Sequence, residues 1–223
     1  MSKDFVALVP VREGSERVIN KNFRSFYKNK SLFNIKISQL KKSNIFGKIY
    51  VSSDSLKVEK LCKKLNVNFV KRSPDMCKGH LYPWPIVMTH ILETIPGNPY
   101  IVWALTTAPL FSRFKDAVTM FKASKKYDSL VGVLPKKNFY LNKFGKGINF
   151  NPGQWHPYSQ ELETYYEITG SIYIARKNNM LKWSYWFGTK PLLFEIMNDE
   201  AVDVDTKKDF DFAKKIYSLK FKK

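Results

Sequence analysis

The sequence predicts a three-layer α/β domain that carries a β-rich arm. Three observations lead there. Short, nearly continuous apolar runs alternate with stretches of helical spacing over the first 134 residues, the rhythm of βαβ units around a parallel sheet with ligands at the carboxyl ends of its strands. Between residues 135 and 165 that rhythm breaks, because Gly145, Gly147, Pro152, Gly153 and Pro157 interrupt short aromatic stretches. Such punctuation suits hairpins that leave the sheet. Finally, 223 residues with 44% hydrophobic and 26% charged side chains are globular, and a chain of this length buries roughly 70–75% of its unfolded surface without a disulfide or metal staple.

The elements follow in order. Residues 5–9 are an apolar run that suits a strand buried on both faces. A polar loop runs to Asn22, after which Leu32, Ile35 and Leu40 recur at helical spacing as far as Ser43-Asn44. Residues 48–52 read as the second strand, 56–65 as a helix and 67–70 as the third strand. Pro83-Trp84-Pro85 opens the next helix, since proline is tolerated in a first turn, and Pro96-Gly97 closes it. Residues 100–105 are a strand, 113–124 a helix and 129–134 a strand. After the arm, 171–175 resumes as a strand, 201–204 is a last short strand and 206–219 a closing helix. One domain over 1–223, with 135–165 inserted, is the expected organisation.

No run approaches 18 apolar residues, and the opening Met1-Ser2-Lys3-Asp4 has none of the apolar stretch of a leader. Cys62 and Cys77 make no disulfide framework and suit a reducing compartment. A soluble, cytoplasmic protein without membrane contact is expected. The net charge of +19 invites a nucleic-acid reading, yet only Arg12, Arg17, Arg24, Arg72, Arg113 and Arg176 of the 38 cationic side chains are arginine. Readers of bases and phosphates favour the arginine fork, whereas lysine serves as a solvated point charge. Pairs such as Lys41-Lys42, Lys63-Lys64, Lys125-Lys126 and Lys214-Lys215 fall on polar helix faces. A solvated lysine-rich surface accounts for this charge; a basic surface drawing in an anionic partner or substrate is the other reading.

Two stretches are suited to chemistry. The first is Pro10-Val11-Arg12-Glu13-Gly14-Ser15-Glu16-Arg17-Val18-Ile19-Asn20-Lys21-Asn22, where a buried strand feeds a loop with one glycine and three cations. Such a loop can wrap a triphosphate with its backbone N–H groups, with Arg12 and Lys21 as counter-charges. It also reads as an exposed polar connection, and it is neither a Walker A nor a GxGxxG segment. The second is Val202-Asp203-Val204-Asp205-Thr206. At strand spacing both carboxylates project to one face, about 6–7 Å apart, and can hold a hard cation such as Mg²⁺ that keeps water and phosphate ligands. Equally, Asp205 or Thr206 caps the last helix with Asp209 in its first turn.

Weaker signals surround these. Asp54 ends the second strand, where capping the next helix is favoured over touching a ligand. His80, His90 and His156 show no metal-ligand spacing with each other or with the cysteines. No GxSxG or cysteine–histidine arrangement argues for a covalent nucleophile. Trp183, Tyr185, Trp186 and Phe187 are expected in the core or at an oligomer contact.

Taken together, the chain resembles the acylneuraminate cytidylyltransferases, the CMP-sialic acid synthetases, with the CMP-Kdo synthetases further off. The family's opening segment, apolar-Pro-x-Arg-x-Gly-Ser followed by Lys-Asn, is met by Pro10, Arg12, Gly14, Ser15, Lys21 and Asn22. Val51-Ser52-Ser53-Asp54 resembles its Val-Ser-Thr-Asp, Lys71-Arg72-Ser73-Pro74 its Arg-Arg-Pro, and Thr107-Ala108-Pro109-Leu110 its Thr-Ser-Pro-Leu. Ser159-Gln160, Thr169-Gly170-Ser171-Ile172-Tyr173 and Val202-Asp203-Val204-Asp205-Thr206 complete the series in the same order.

The resemblance implies a Rossmann-like nucleotidyltransferase fold with a mostly parallel sheet, forming a homodimer through the 135–165 arm. It implies CTP held by Arg12, Lys21, Asn22 and Arg72, Mg²⁺ held by Asp203 and Asp205, and an acidic sugar attacking the α-phosphate with release of pyrophosphate. The acceptor side would be Leu105, Thr107, Gln160, Thr169 and Tyr173. Here the chain departs from the family: Leu105-Thr106 replaces Gln-Pro, Thr169 an asparagine, Tyr158 an arginine, and His80-Leu81 an Asp-Asp pair. Loss of an amide at Leu105 removes hydrogen bonds to sugar hydroxyls, so an acidic sugar other than ordinary sialic acid is expected, such as a deoxygenated nonulosonic acid. A glycosyltransferase of similar topology, a basic RNA-binding domain and a catalytically dead relative are the competing readings.

Overall fold

A computed structural model describes residues 2–15, 17–78 and 81–221; His80 lies outside the described residues. Strands β1 (Ser2–Pro10), β2 (Phe46–Ser53), β3 (Asn68–Lys71) and β4 (Tyr100–Trp103) run parallel to one another. They share one sheet with β5 (Ser129–Lys136), β6 (Tyr165–Arg176) and β7 (Pro191–Glu195), in the order β3-β2-β1-β4-β6-β5-β7. Only β6 runs against its neighbours, pairing antiparallel with β4 and β5, while β5 and β7 are parallel. The α/β fold with a mostly parallel sheet therefore stands as the sequence predicts.

Helices cover both faces. Phe5, Ala7 and Val9 of β1 face a core built with α1 (Leu32–Ser43), α2 (Leu56–Lys64) and α4 (Phe114–Ala123). Val6 and Leu8 face the opposite core, with α3 (Trp84–Glu93) and α5 (Lys177–Trp183). Successive side chains of a strand point to opposite faces, so a strand covered on both sides reads as a continuous apolar run. A third cluster, including Phe26, Leu110, Val204 and Phe210, seats α6 (Lys207–Lys220) beside the carboxyl end of the sheet.

The helix ends have local causes. Ser31 and Thr206 each accept from the backbone three residues on, while Asn34 and Asp209 return a bond to the cap, forming capping boxes. Thr206 rather than Asp205 is thus the cap of α6, which leaves the Asp205 carboxylate free of that duty. Ser55, not Asp54, caps α2 by accepting from Lys57 and Val58, and this corrects the expectation for Asp54. Pro83 and Pro85 flank the first residue of α3 as expected.

Other departures follow from tertiary context. Residues 201–204 form no strand: one bond, Val204 N–H to the Thr107 carbonyl at 2.8 Å, ties the segment to the loop after β4. The edge beside β5 is already filled by β7, which is short and begins at proline and so carries a weak strand signal. The helix α5 was likewise hidden, being only seven residues long. The arm is less β-rich than expected. Its regular structure is the outward extension of β5 and β6, where 133–136 pair with 165–168, and beyond them lie turns, a short 3₁₀ turn and an isolated bridge between Leu141 and Gly147.

Candidate active site

At the carboxyl ends of β1 and β4 a cavity of about 350 Å³ opens, where ligands of open α/β sheets bind. The first loop builds one wall. Val11 N–H still bonds the Ser52 carbonyl, so the chain leaves the sheet only at Arg12. The buried Asn22 then pins the loop's two ends, donating to the Arg12 carbonyl at 2.9 Å and accepting from the Thr106 hydroxyl at 2.7 Å. Pro10, Arg12, Ser15, Lys21, Asn22 and Arg72 all line the cavity, as do Leu105 and Thr107. Gly14 is exposed and outside that lining.

The electrostatics of the wall are one-sided. Arg72 is 3% exposed, yet among the described residues its guanidinium donates only to the Val11 carbonyl at 3.2 Å and the Cys77 sulfur at 3.1 Å. Arg12 donates to the Cys77 carbonyl at 2.9 Å. Among the described residues neither arginine has a carboxylate partner. A buried cation without a counter-charge is costly, so the cavity is poised for an anion. Burial pushes the Cys77 thiol up; Arg72 opposes that shift and the nearby Asp54 adds to it. Cys77 thus stands as a strut under Arg72, its sulfur accepting from the guanidinium.

The second predicted constellation stands beside this wall. Lys21 Nζ lies 2.6 Å from the Val204 carbonyl and 3.4 Å from Asp205 Oδ1, and Arg17 donates to the same carboxylate oxygen at 2.9 Å. Partial desolvation raises the Asp203 carboxyl and Asp205 and Asp209 push the same way, while the nearby Thr107 side chain and Lys21 pull it down. The two aspartates therefore share one field, and Val204 between them is fully buried and anchors the segment. Among the described residues no cluster of three or more metal-ligating side chains exists. Two hard carboxylates with the rest left to water and phosphate is a donor set that fits Mg²⁺.

Three acceptor-side candidates are not brought to the cavity wall. Thr169 is buried in β6 and gives its hydroxyl to the Gly132 carbonyl at 3.0 Å, where the β5–β6 register shifts. Tyr173 is in the core, stacked on Trp186 and Phe187. Burial pushes its phenol up to about 12, with Tyr185 and Asp203 adding to the shift. Gln160 sits exposed on the arm, its carbonyl accepting from Lys137. The cavity instead recruits residues that sequence reasoning passed over. Met76, Cys77 and Lys78 come from the turn after Arg72, and Tyr82, Trp84 and Val87 from the start of α3. Arg17 was visible as the third cation of the first loop; nothing in the sequence marks Cys77.

Comparison with known proteins agrees with this geometry. A family described as Cytidylyltransferase matches residues 6–221. The chain is 23% identical over 220 residues to an N-acylneuraminate cytidylyltransferase of Streptococcus agalactiae serotype V, covering 92% of this chain but spanning only about half, 51%, of that relative. It is 24% identical over 225 residues to a pseudaminic acid cytidylyltransferase of Campylobacter jejuni subsp. jejuni serotype O:2, covering 96% of each. In fold it is similar to a CMP:2-keto-3-deoxy-manno-octonic acid synthetase complexed with CTP, with a TM-score of 0.72 at 12% identity over 99% of this chain and 100% of the other. From the first buried strand to the last helix, the sequence that builds this cation-lined cavity is that of the cytidylyltransferase family, and the chain belongs to it.

Proposed function

We propose that the cavity binds CTP and that the protein transfers the cytidylyl group to a hydroxyl of an acidic sugar, forming a CMP-sugar. The observation that carries this reading is the pair of guanidiniums, Arg12 and Arg72, that face the cavity without a carboxylate partner among the described residues. The sugar oxygen bonds to the α-phosphorus, the bond from that phosphorus to the bridging oxygen breaks, pyrophosphate leaves and the hydroxyl proton passes to water. Such a reaction needs positioning and charge neutralisation rather than a protein nucleophile. Arg12 and Arg72 receive the triphosphate, Asn22 holds the loop that carries Arg12, and Lys21 sits between the nucleotide wall and Asp205. Asp203 and Asp205 would hold Mg²⁺, which would supply charge neutralisation at the phosphates.

For the acceptor, an acidic nonulosonic-type sugar is favoured, because relatives carry N-acylneuraminate and pseudaminic acid in their names. The apolar Leu105 on the wall argues for a sugar with fewer hydroxyls at that point. Family membership favours this chemistry over a glycosyltransferase or a nucleic-acid-binding domain.

The arm supports a homodimer reading. Phe144, Trp155 and Tyr158 are 81%, 84% and 77% exposed, and a concentration of large apolar side chains on one excursion suits a contact with a second copy. No helix of the described residues is long and apolar enough to cross a membrane, and two free thiols suit the cytoplasm. The deciding experiment is pyrophosphate release from each of the four nucleoside triphosphates with Mg²⁺ and a panel of nonulosonic acids and Kdo. Release confined to CTP with one acidic sugar is expected; release with another triphosphate, or silence without CTP binding, overturns the reading.

A further inference from the structure

Behind the cavity lies a lysine with no role in the chemistry above. Lys36 on α1 is fully buried, and no ion pair among the described residues involves it. Its Nζ donates to the Ala108 carbonyl at 2.8 Å and to the Phe111 carbonyl at 3.1 Å, and lies 5.1 Å from the centre of the Phe114 ring. One turn further along α1, Gln39 Nε2 donates to the Pro109 carbonyl at 2.6 Å. These three carbonyls belong to a buried irregular segment, which runs from Thr106 through Ala108, Pro109, Leu110 and Phe111. A segment buried outside helix and sheet must find partners for its carbonyls, and side chains three apart on one helix face supply them here.

That segment starts at the active site. Thr106 holds Asn22, and the Thr107 carbonyl receives the Val204 N–H at 2.8 Å, next to Asp203. We infer that Lys36, assisted by Gln39, is a positioning residue for the reaction: it clamps the 106–111 segment from behind so that the Thr107 carbonyl holds Val204, and with it the flanking Asp203, in register with Lys21. The inference rests on the proposed active site and adds to it a residue that touches neither substrate. Desolvation by burial pushes the Lys36 amine down to about 7. Ammonium and neutral amine both carry the two N–H donors that the carbonyls need, so the clamp does not depend on the charge.

The test compares wild type with Lys36→Met, which keeps the bulk and removes the donors, and with the milder Gln39→Leu on the half-buried neighbour. Amide exchange reads the clamp directly. In Lys36→Met the Val204 amide and residues 104–111 should exchange about tenfold faster, with β2 and α2 unchanged. In steady state, kcat and apparent Mg²⁺ affinity should fall about tenfold or more with KM for CTP within about threefold, as when support behind a metal ligand is lost, and Gln39→Leu should move the same way by less. Unchanged Val204 exchange and turnover in both variants overturns the inference. So does faster exchange throughout the protein with loss of CTP binding, which marks a purely structural role. If wild type itself releases no pyrophosphate, the proposed reaction fails, while the exchange measurement still decides the clamp.

Discussion

Arg17 and Asp205 lie 188 positions apart in the chain, yet the guanidinium donates to the carboxylate at 2.9 Å. The pair is largely exposed, at 66% and 45% for the two side chains, so its effect on folding is about 0–1 kcal/mol. Its effect on the proposed Mg²⁺ would be larger, because Arg17 and the metal would compete for one oxygen. Arg17→Ala should leave the melting temperature nearly unchanged and lower the Mg²⁺ concentration for half-maximal turnover a few-fold at saturating CTP. A metal titration of turnover checks this.

Asp205→Asn separates metal binding from helix capping. Since Thr206 and Asp209 make the cap, removing the charge at Asp205 should leave helix content intact. Turnover should fall at least about 10²-fold and the Mg²⁺ requirement should rise, as expected for loss of a metal ligand. Circular dichroism and a rate measurement on one preparation distinguish the two effects; wild-type turnover would remove Asp205 as a ligand.

Leu105 stands on the cavity wall beside Gly170, with its Cδ1 3.4 Å from where a Cβ there would stand, and in the proposed reaction it would present an apolar side chain to the acceptor. Leu105→Gln should restore amide contacts to sugar hydroxyls. The ratio of kcat/KM for N-acetylneuraminate over a deoxygenated analogue should rise by about tenfold or more. Competition between the two sugars in one reaction measures that ratio directly.

If the arm is a dimer contact, charges placed at its most exposed aromatics should separate the copies. Phe144→Glu with Trp155→Glu, at positions 81% and 84% exposed, should convert a two-chain mass to a one-chain mass in light scattering. The melting temperature of the sheet domain should change little. A single-chain mass for wild type at micromolar concentration would end this reading.

Lys36 makes stability depend on pH. Its amine sits at about 7 when folded, against 10.5 as the ordinary value, so between those limits the unfolded chain binds more protons. Stability therefore rises with pH across that window, and the burden is fully present below about 7. Between pH 6 and 9 the contribution is about 2–3 kcal/mol. Wild type should gain that much relative to Lys36→Met over this range, read from urea midpoints at several pH values.

Much of this molecule was legible because some signals are local. The continuous apolar run of β1, the prolines around Trp84 and the Thr206-x-x-Asp209 cap depend on residues a few positions apart. The first loop and the Asp203–Asp205 segment were also visible, since clustered cations and paired carboxylates announce their chemistry by type. By itself, then, the sequence determined the α/β class, the family and the two stretches that meet at the site.

What it could not determine was who faces whom. β7 escaped notice because five residues beginning at proline become a strand only against β5, and 201–204 is held by one backbone bond to Thr107 in the loop after β4 rather than by a neighbouring strand. Thr169 and Tyr173 carry types that suit a sugar, yet the register of β6 turns one hydroxyl to Gly132 and the other ring into the core. The Arg17–Asp205 pair, the Cys77 strut under Arg72 and the Lys36 clamp under Thr107 all join residues far apart in the chain. Only closure of the sheet and docking of the helices bring such groups within hydrogen-bond reach, and a hydrogen bond's energy falls away within about an ångström of its ideal length.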